Sequence, residues 1–266
     1  MNKDSIKIEE GFHDSWAAST DVQQIMVDEF FEAATAPENR FILEKLQSLE
    51  GKKVLDLGCG LGESSVYLAK QGAIVTATDL SSGMLEATMR LAERYDVSIT
   101  PIKSTADTIA VPDESFDVVY AANLLHHVDI AETLEEVRRV LKPGGVFASW
   151  DPLAHNPVIN VYRRMATEVR TEDEHPLTMK DTKLFHRYFK KVDFHFTWFF
   201  TLWLFLRFYL IERVDPNKER YWKKIYKEHK RLEQTYNKLY KLDRIMLRWL
   251  PFMKRYCWNI VVFATK

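Results

Sequence analysis

Apolar and polar residues change their spacing along the chain in a regular order. Stretches with apolar residues three or four positions apart predict helices, and one of them, 64–70, directly follows the first apolar run. Short, nearly continuous apolar runs predict strands, and these lie at 54–57, 73–79, 116–123, 146–150, 192–198 and 259–265. Since strands and helices alternate up to residue 152, the pattern predicts a parallel sheet covered by helices.

The same pattern divides the chain into four predicted parts. These are a helical cap (1–50), a sheet domain (51–198), a helical insertion (199–255) and the final strand of the sheet (256–266). Before the insertion, residues 171–177 predict a loop and residues 179–189 an amphipathic helix. Within the insertion, Asp215-Pro216 predicts a helix start. Apolar or aromatic residues then recur at gaps of three and four, which predicts a long amphipathic helix that Pro251 ends.

Three glycines break the pattern after the first predicted strand. The chain reads Val-Leu-Asp-Leu-Gly-Cys-Gly-Leu-Gly-Glu over 54–63, so Gly58, Gly60 and Gly62 lie between a strand and a helix start. Such a turn lets a flat cofactor approach bare backbone. The spacing differs from the G-x-G-x-x-G of dinucleotide sites. Asp56, at the carboxyl end of the strand, would repel a pyrophosphate and attract a cationic group.

Four segments in this order resemble one family. They are the glycine motif, the acid Asp79 that ends the second strand, the strand at 116–123, and Leu-Lys-Pro-Gly-Gly before the strand that ends at Trp150. Over about residues 51–151 the chain resembles the class I S-adenosylmethionine-dependent methyltransferases, especially the small-molecule branch that includes quinone-biosynthesis enzymes. The resemblance implies a Rossmann-like, doubly wound α/β fold with seven strands, mostly parallel, the last one antiparallel. It also implies methyl transfer from S-adenosyl-L-methionine, with S-adenosyl-L-homocysteine as product.

The resemblance assigns the glycine motif to one end of the cofactor. It implies that Asp56, Gly58 and Gly60, with the backbone of Cys59, surround the amino-acid end. It implies that Asp79 accepts hydrogen bonds from the two ribose hydroxyls.

The adenine end is assigned to later residues. By the same resemblance, Leu80 and Met84 pack against the ring. Thr105, followed by Ala106, stands where an adenine-binding acid is common, and its hydroxyl can meet the exocyclic amine. Asn123 closes the fourth strand and is expected to face the methionine moiety through its backbone.

Histidines after the fourth and fifth strands are the candidate catalytic residues. His126, His127 and His155 lie where substrates bind at the carboxyl edge of an open sheet, and an imidazole suits proton removal at neutral pH. A structural role for one of the adjacent pair is equally compatible with the sequence. Asp151 is expected to begin a turn before Pro152. No set of histidines or acids has the spacing of a metal site, so no metal is predicted.

Charge is distributed unevenly, although the formal net charge is only −1. Residues 217–255 hold thirteen Lys or Arg and four Asp or Glu, which predicts an anionic partner for one face. Residues 194–211 are the most hydrophobic stretch, but their unbroken apolar part is shorter than a membrane span. Two cysteines suit a reducing cytoplasm, and the amino-terminal residues do not predict a signal peptide.

Three interpretations of the insertion stay open. It can be a lid over a hydrophobic substrate, with Trp16 covering the ligand or packing in the core. It can lie in a membrane interface, which would place the protein at the inner face of an anionic membrane. It can also be a packed subdomain or a dimer face, and the sequence leaves the oligomeric state open. The predicted acceptor is therefore a small, hydrophobic or lipid-linked molecule.

Two other functions are compatible with a nucleotide-binding sheet. One is a nicotinamide-dependent oxidoreductase, and the other is a non-catalytic, membrane-associated cofactor-binding module. The glycine spacing and Asp56 weigh against the first. Nucleic-acid modification is disfavoured, because Asn123-Leu124-Leu125-His126 replaces the Asn/Asp-Pro-Pro-Tyr motif of amino-methylating DNA enzymes.

Overall fold

A seven-stranded sheet forms the centre of the molecule. The computed structural model describes residues 3–165 and 175–266, so the predicted loop at 171–177 lies mostly outside the described residues. The strands are β1 (Lys53–Leu57), β2 (Ile74–Asp79), β3 (Ile99–Lys103), β4 (Phe116–Ala122), β5 (Leu141–Pro152), β6 (Lys191–Thr197) and β7 (Asn259–Thr265). Their order in the sheet is β3-β2-β1-β4-β5-β7-β6.

Strand direction follows the predicted pattern. Strands β1 to β5 are parallel, and β7 runs antiparallel to both of its neighbours. Because the chain winds outward from β1 to β3 and then crosses to β4, the strand order reverses between β1 and β4. A crevice for ligands opens at the carboxyl ends of strands at such a switch point. The predicted fold class is confirmed, including the antiparallel last strand.

Eleven α-helices surround the sheet within the described residues. They are α1 (Lys3–Ser19), α2 (Val27–Glu32), α3 (Pro37–Leu46), α4 (Glu63–Lys70), α5 (Ser82–Arg94), α6 (Ile130–Val140), α7 (Pro157–Met165), α8 (Thr182–Tyr188), α9 (Trp203–Leu210), α10 (Tyr221–Lys227) and α11 (His229–Trp249). None of them has the length and apolar content that a bilayer crossing requires. A 3-10 helix, Pro251–Tyr256, joins α11 to β7.

The insertion departs from the predicted single helix. Asp215 does not begin a helix, because its carboxylate accepts the N–H of Asn217 at 3.0 Å and closes a turn instead. Helix α10 begins only at Tyr221, and Glu228, with φ −104° and ψ 17°, separates it from α11. The predicted end is confirmed, since Pro251 follows Leu250 and starts the 3-10 helix.

Buried aromatic residues tie the insertion to the rest of the fold. Trp198 and Tyr236 lie with ring centroids 5.2 Å apart and are both fully buried. Tyr226 of α10 meets Phe30 of α2 edge-on at 5.5 Å. Helices α2, α9, α10 and α11 and the residue after β6 all contribute to this apolar cluster, so the insertion packs against the amino-terminal helices.

Candidate active site

The glycine turn after β1 directs its amide groups into the protein. Gly58 and Cys59 both donate their N–H groups to the carbonyl of Thr78, at 2.8 and 2.9 Å. Gly60 donates its N–H to Oδ2 of Asp79 at 3.0 Å. A pyrophosphate needs free N–H donors at this position, and these three are already used. The turn therefore offers bare backbone rather than an anion-binding nest.

The three glycines of the turn have different steric surroundings. A Cβ on Gly58 would lie 2.8 Å from the side chain of Leu124, and one on Gly62 would lie 2.8 Å from the Cα of Thr88 on helix α5. Gly62 also has φ +92°, a left-handed conformation that side chains disfavour. Gly60 has φ +54° with open space beyond it. Gly62 thus lets α4 approach α5, while Gly60 keeps the cavity side of the turn bare.

We expect Gly62→Ala to destabilise the fold more than Gly60→Ala. Left-handed strain acts on both variants and costs about 1–2 kcal/mol. Overpacking against Thr88 adds roughly 1–3 kcal/mol for Gly62→Ala alone. Urea unfolding measures both free energies. Gly51→Ala, with φ +70° and open space, is the control for strain without contact. Equal losses for the variants at 60 and 62 would contradict the packing argument.

Asp79 links the ends of β1 and β2 at the turn. Its Oδ1 accepts the N–H of Ser81 at 2.9 Å, while Oδ2 holds the Gly60 N–H. Burial raises the pKa of this carboxyl, and the hydrogen bonds from Ser81 and Gly60 oppose the rise. Each carboxylate oxygen keeps a further lone pair. Asp79 also lines the cavity above the turn. It can therefore accept two hydroxyl groups from a ligand there.

Asp56 lies elsewhere than predicted. Its side chain is buried below the turn and accepts the hydroxyl of Ser65 at 2.5 Å, and it is not among the residues that line the cavity. It points to helix α4, so a direct contact with a ligand is not supported. Burial raises the pKa of Asp56 to about 7, and the nearby carboxylate of Asp79 contributes. The acid that follows the glycines, Glu63, lines the cavity instead.

Asp56 gives the fold a specific pH dependence. Between about pH 5 and pH 7 the folded chain holds a proton that the unfolded chain has released, so this group lowers the free energy of unfolding as pH rises. The Asp56→Asn variant has no carboxyl to ionise at this position, so its free energy of unfolding does not fall with pH for this reason. From about pH 5 to pH 7 the variant should gain roughly 2 kcal/mol relative to the original chain.

Urea unfolding at the two pH values measures this difference. Asp117→Asn is the control, because the pKa of Asp117 is lowered and its carboxyl is ionised in both states over this range. Its effect on the free energy of unfolding should be the same at both pH values. A constant difference for Asp56→Asn as well would contradict the buried, proton-holding carboxyl.

A cavity of about 330 Å³ opens above the turn, at the carboxyl ends of the strands. Helix α1 and helix α10 form its other walls through Glu9, His13 and Trp16 and through Trp222, Ile225 and Tyr226. Ten of the thirteen predicted site residues line it, namely Gly58, Cys59, Gly60, Asp79, Leu80, Thr105, Ala106, Asn123, His126 and His127.

The three predicted residues outside the cavity wall have clear positions. Asp56 lies below the turn. Met84 is fully buried among apolar residues, because the Ser81 hydroxyl caps α5 and turns the third residue inward. His155 is only partly buried and lies after β5, away from the cavity wall. The assignments of Met84 to the adenine ring and of His155 to catalysis are therefore not supported by the geometry.

The predicted adenine end holds an unpredicted acid. Thr105 donates its hydroxyl to Oδ1 of Asp107 at 2.5 Å, and both residues line the cavity. The Thr105 hydroxyl is thus engaged, and the carboxylate of Asp107 is the negative group available at this wall. Asn123, at φ +53°, donates its N–H to the carbonyl of Trp150 at 2.9 Å. This hydrogen bond fixes the backbone just after the end of β4, at the wall of the cavity.

Histidines and acids from three segments meet at one side of the cavity. Nδ1 of His126 lies 2.8 Å from Oδ1 of Asp151, which belongs to β5 rather than to the predicted turn. Nδ1 of His127 lies 3.4 Å from Oε1 of Glu9, and Nε2 of His13 lies 3.4 Å from the other oxygen of Glu9. The rings of His126 and His127 are 4.1 Å apart.

Burial distinguishes the two histidines. The side chain of His126 is 6% exposed and that of His127 is 19% exposed. Burial raises the pKa of Asp151 to about 8, and the charge of a protonated His127 opposes the rise. Nδ1 of His127 is buried and makes no hydrogen bond within the described residues, so Nε2 is the nitrogen left to take a proton from a ligand. Within 3–165 and 175–266 no cluster of His, Cys, Asp or Glu is arranged to hold a metal ion.

Aromatic residues and one arginine form the part of the cavity farthest from the turn. The guanidinium of Arg220 lies 4.2 Å from the ring centroid of Trp16, so the insertion and helix α1 touch across the opening. Trp16 thus lines the cavity and also packs against the apolar core, so both of its interpretations stay open. Further apolar surface comes from Phe30, Trp150, Trp198, Trp222, Tyr226 and Trp258. This end suits an aromatic or aliphatic ligand.

Glu9, His13, Glu63 and Asp107 were not predicted as site residues. Glu9 and His13 are four positions apart, a spacing that places both on one face of a helix. Glu63 follows the third glycine at a helix start, and Asp107 comes two residues after Thr105. These spacings could be read from the sequence. Whether the side chains point toward the cavity depends on how α1 and the loop after β3 pack.

Comparisons with known proteins agree with this geometry. Residues 55–149 match a family model described as a methyltransferase domain. The sterol 24-C-methyltransferase of Aspergillus fumigatus is 33% identical over 140 residues, which are 51% of this chain and 37% of that protein. The ubiquinone biosynthesis O-methyltransferase of Coxiella burnetii is 35% identical over 104 residues, which are 39% of this chain and 44% of that protein. The chain thus aligns with less than half the length of each relative.

A solved structure agrees with the fold over nearly the whole chain. It is phosphoethanolamine N-methyltransferase 2 of Haemonchus contortus in complex with S-adenosyl-L-methionine, with a TM-score of 0.59 and 18% identity. The alignment covers 96% of this chain and 56% of that one. This structure shares the fold, while the domain match and the two relatives confirm the predicted resemblance to the methyltransferases.

Proposed function

We propose that this chain, which carries a methyltransferase domain at residues 55–149, transfers a methyl group from S-adenosyl-L-methionine to a small hydrophobic acceptor. The observation that carries the proposal is the glycine turn. Its first three amides are engaged inside the protein, and Asp79 stands beside it with free lone pairs. This combination fits a nucleoside with a cationic amino-acid tail better than a diphosphate.

The residues of the cavity fit such a cofactor. Asp79 would hold the ribose hydroxyls, and Leu80 with Asp107 would border the adenine. The bare turn at 58–60 and Glu63 would face the amino-acid end. When bound, the cofactor supplies an electrophilic methyl group on a sulfonium. The chain's contribution is then to align the acceptor in line with that methyl group and to exclude water.

We assign the role of general base to His127. Its Nε2 can accept the proton that a hydroxyl acceptor loses, while the carboxylate of Glu9, 3.4 Å from Nδ1, would stabilise the imidazolium by its charge. The carbon–oxygen bond forms as the carbon–sulfur bond breaks, and the electron pair stays on sulfur. His126, paired with Asp151, packs against the ring of His127, with the two ring centroids 4.1 Å apart. A phenol or enol is the acceptor that this arrangement fits best.

The aromatic end of the cavity supports a hydrophobic acceptor. Trp198, Trp222 and Tyr226 would contact the part of the acceptor that lies away from the methyl group. The names of two relatives include sterol and ubiquinone, which agrees with an apolar acceptor class. A lipid-linked acceptor resides in a membrane, and we propose peripheral contact with an anionic membrane at its cytoplasmic face as part of this function.

A methyl-transfer assay tests the proposal. Labelled S-adenosyl-L-methionine is incubated with phenols that carry alkyl tails of increasing length. We expect transfer to the phenol oxygen, with kcat/KM rising about tenfold for every two buried methylene groups. Transfer to none of the phenols, together with no binding of S-adenosyl-L-homocysteine, would refute it. The oxidoreductase and non-catalytic alternatives have no observation in their favour.

A further inference from the structure

The outer face of the insertion exposes an unusual amount of apolar surface. We call it the Trp249 face. Its apolar members are Leu242, Ile245, Trp249, Leu250 and Phe252, and its basic members are Lys238, Lys241, Arg244, Arg248 and Arg255. Trp249 is 76% exposed and Phe252 is 64% exposed. Exposed apolar groups of this size, close together, mark an interaction site.

The apolar members form one stripe along helix α11. Leu242, Ile245 and Trp249 are three and four positions apart, so they project from the same side of the helix. Asp243 and Leu247 occupy the opposite side and are buried. The stripe therefore points directly away from the protein. The Pro251–Tyr256 turn carries Phe252 at the end of it.

A buried acid fixes the stripe against the body of the protein. Oδ1 of Asp243 accepts the N–H of Phe200 at 2.5 Å, and Oδ2 accepts the hydroxyl of Thr201 at 2.8 Å. These bonds hold the turn after β6 to the middle of α11. Phe200, itself exposed, thereby joins the edge of the face. The stripe is part of a rigid helix, so its apolar surface is presented in one orientation.

The charged residues around the apolar stripe are nearly all basic. Residues 238–256 contain six basic residues and one acidic residue, and that acid is the buried Asp243. Within the described chain, none of the five basic members of the face forms an ion pair. An exposed apolar stripe with Trp and Phe, bordered by unpaired Lys and Arg, has the composition of a helix that lies in an anionic lipid interface.

We infer that the Trp249 face binds the surface of an anionic membrane. The apolar stripe enters the headgroup layer, and the basic residues attract the lipid phosphates. A second copy of the chain fits less well, because two such faces would bring like charges together. Nucleic acid also fits less well, because Leu242 and Ile245 would find no apolar partner against a phosphate backbone.

Helix α11 links the face to the cavity. Tyr236, on the buried side of α11, contacts Trp198 at 5.2 Å, and Trp198 lines the cavity. The same helix therefore carries the lipid-facing stripe and a residue that packs on the aromatic end of the site. The inference deepens the membrane contact proposed above, and for a lipid-linked acceptor it rests on the proposed function. Binding to lipid itself does not depend on methyl transfer.

Flotation with vesicles tests the inference. The full chain is mixed with phosphatidylcholine vesicles that contain or lack phosphatidylglycerol. We expect it to float with the anionic vesicles, and the bound fraction should fall as salt rises. Trp249→Ala with Phe252→Ala should weaken partition roughly 100-fold, from the loss of two buried aromatic side chains. Arg244→Gln with Arg248→Gln should weaken it about 25-fold and reduce the salt dependence.

Matched controls use similar residues away from the face. Val161→Ala removes an exposed apolar group from α7, and Arg90→Gln with Arg138→Gln removes two exposed charges from α5 and α6. Both controls should leave partition within about twofold of the original. No flotation with anionic vesicles, or equal flotation of the Trp249 and Phe252 variant, would overturn the inference. If the chain does not bind lipid but forms a dimer that this variant dissociates, the inference is also overturned. The same holds if the chain does not bind lipid but forms an RNA complex that this variant leaves intact.

Titration with S-adenosyl-L-homocysteine separates the two proposals. The Trp249 face variants should bind it as the original chain does, because their side chains do not line the cavity. A chain that floats but does not bind this ligand would retain the lipid inference and lose the proposed function. A chain that binds the ligand but never floats would retain the proposed methyl transfer and lose the lipid inference.

Discussion

Replacing His127 by alanine should lower kcat by on the order of 10²- to 10⁴-fold, the usual contribution of a general base. Its Nε2 is the nitrogen left to take the acceptor's proton, since Nδ1 faces Glu9. The affinity for S-adenosyl-L-homocysteine should change little, because the ring does not belong to the turn that we propose for the nucleoside. Steady-state kinetics and calorimetric titration of the same preparation measure both quantities.

His155→Ala is the matched control for this prediction. His155 is a histidine of the next loop that does not line the cavity, so kcat should stay within about twofold. His126→Ala should lower kcat less than His127→Ala, because His126 supports the base and is paired with Asp151. A larger loss at His126 than at His127 would assign proton removal to the other ring and contradict the account.

Asp79→Asn should weaken the binding of S-adenosyl-L-homocysteine by at least about 100-fold. Both oxygens of Asp79 accept backbone N–H groups, from Ser81 and Gly60. An amide has one oxygen, so its NH₂ group would face one of these donors. That unpaired contact destabilises the free and the bound protein alike, while the loss of a charged acceptor for the two ribose hydroxyls weakens binding by about 3 kcal/mol. Calorimetric titration measures the change in Kd.

The control for this variant is another strand-end acid. Asp117 accepts the N–H of Lys53 at 2.8 Å and the ammonium of Lys142 at 2.7 Å, outside the cavity. Asp117→Asn should destabilise the chain slightly and leave the Kd within about twofold. Unchanged affinity in Asp79→Asn would show that this carboxylate does not hold the ligand's sugar.

The sheet and the glycine turn could be predicted because local sequence determines them. Buried parallel strands give continuous apolar runs, and the positive φ of Gly58, Gly60 and Gly62 requires glycine or its equivalent. Asp79 could be placed because it ends a strand adjacent to β1 in the sheet. A contact of Asp56 with the cofactor stays a prediction, and its side chain turns to Ser65 of α4 because successive strand residues alternate faces.

The catalytic side of the cavity could be predicted only in part. His126 and His127 were predicted from their place after β4, but their partners come from distant segments. Glu9 lies on the first helix and Asp151 on β5, and no local pattern joins them to the histidines. The helix break at Glu228 was missed for a similar reason. The periodicity continues across it, while the turn at Asp215 and the packing of α10 against Phe30 set the actual start and direction.

Calorimetric titration of the unaltered chain with S-adenosyl-L-homocysteine and with NADH tests the central claim most directly. The account predicts binding of one S-adenosyl-L-homocysteine per chain and no heat of binding from NADH, because the amides of the turn are closed to a diphosphate. Binding of NADH without binding of S-adenosyl-L-homocysteine would contradict it.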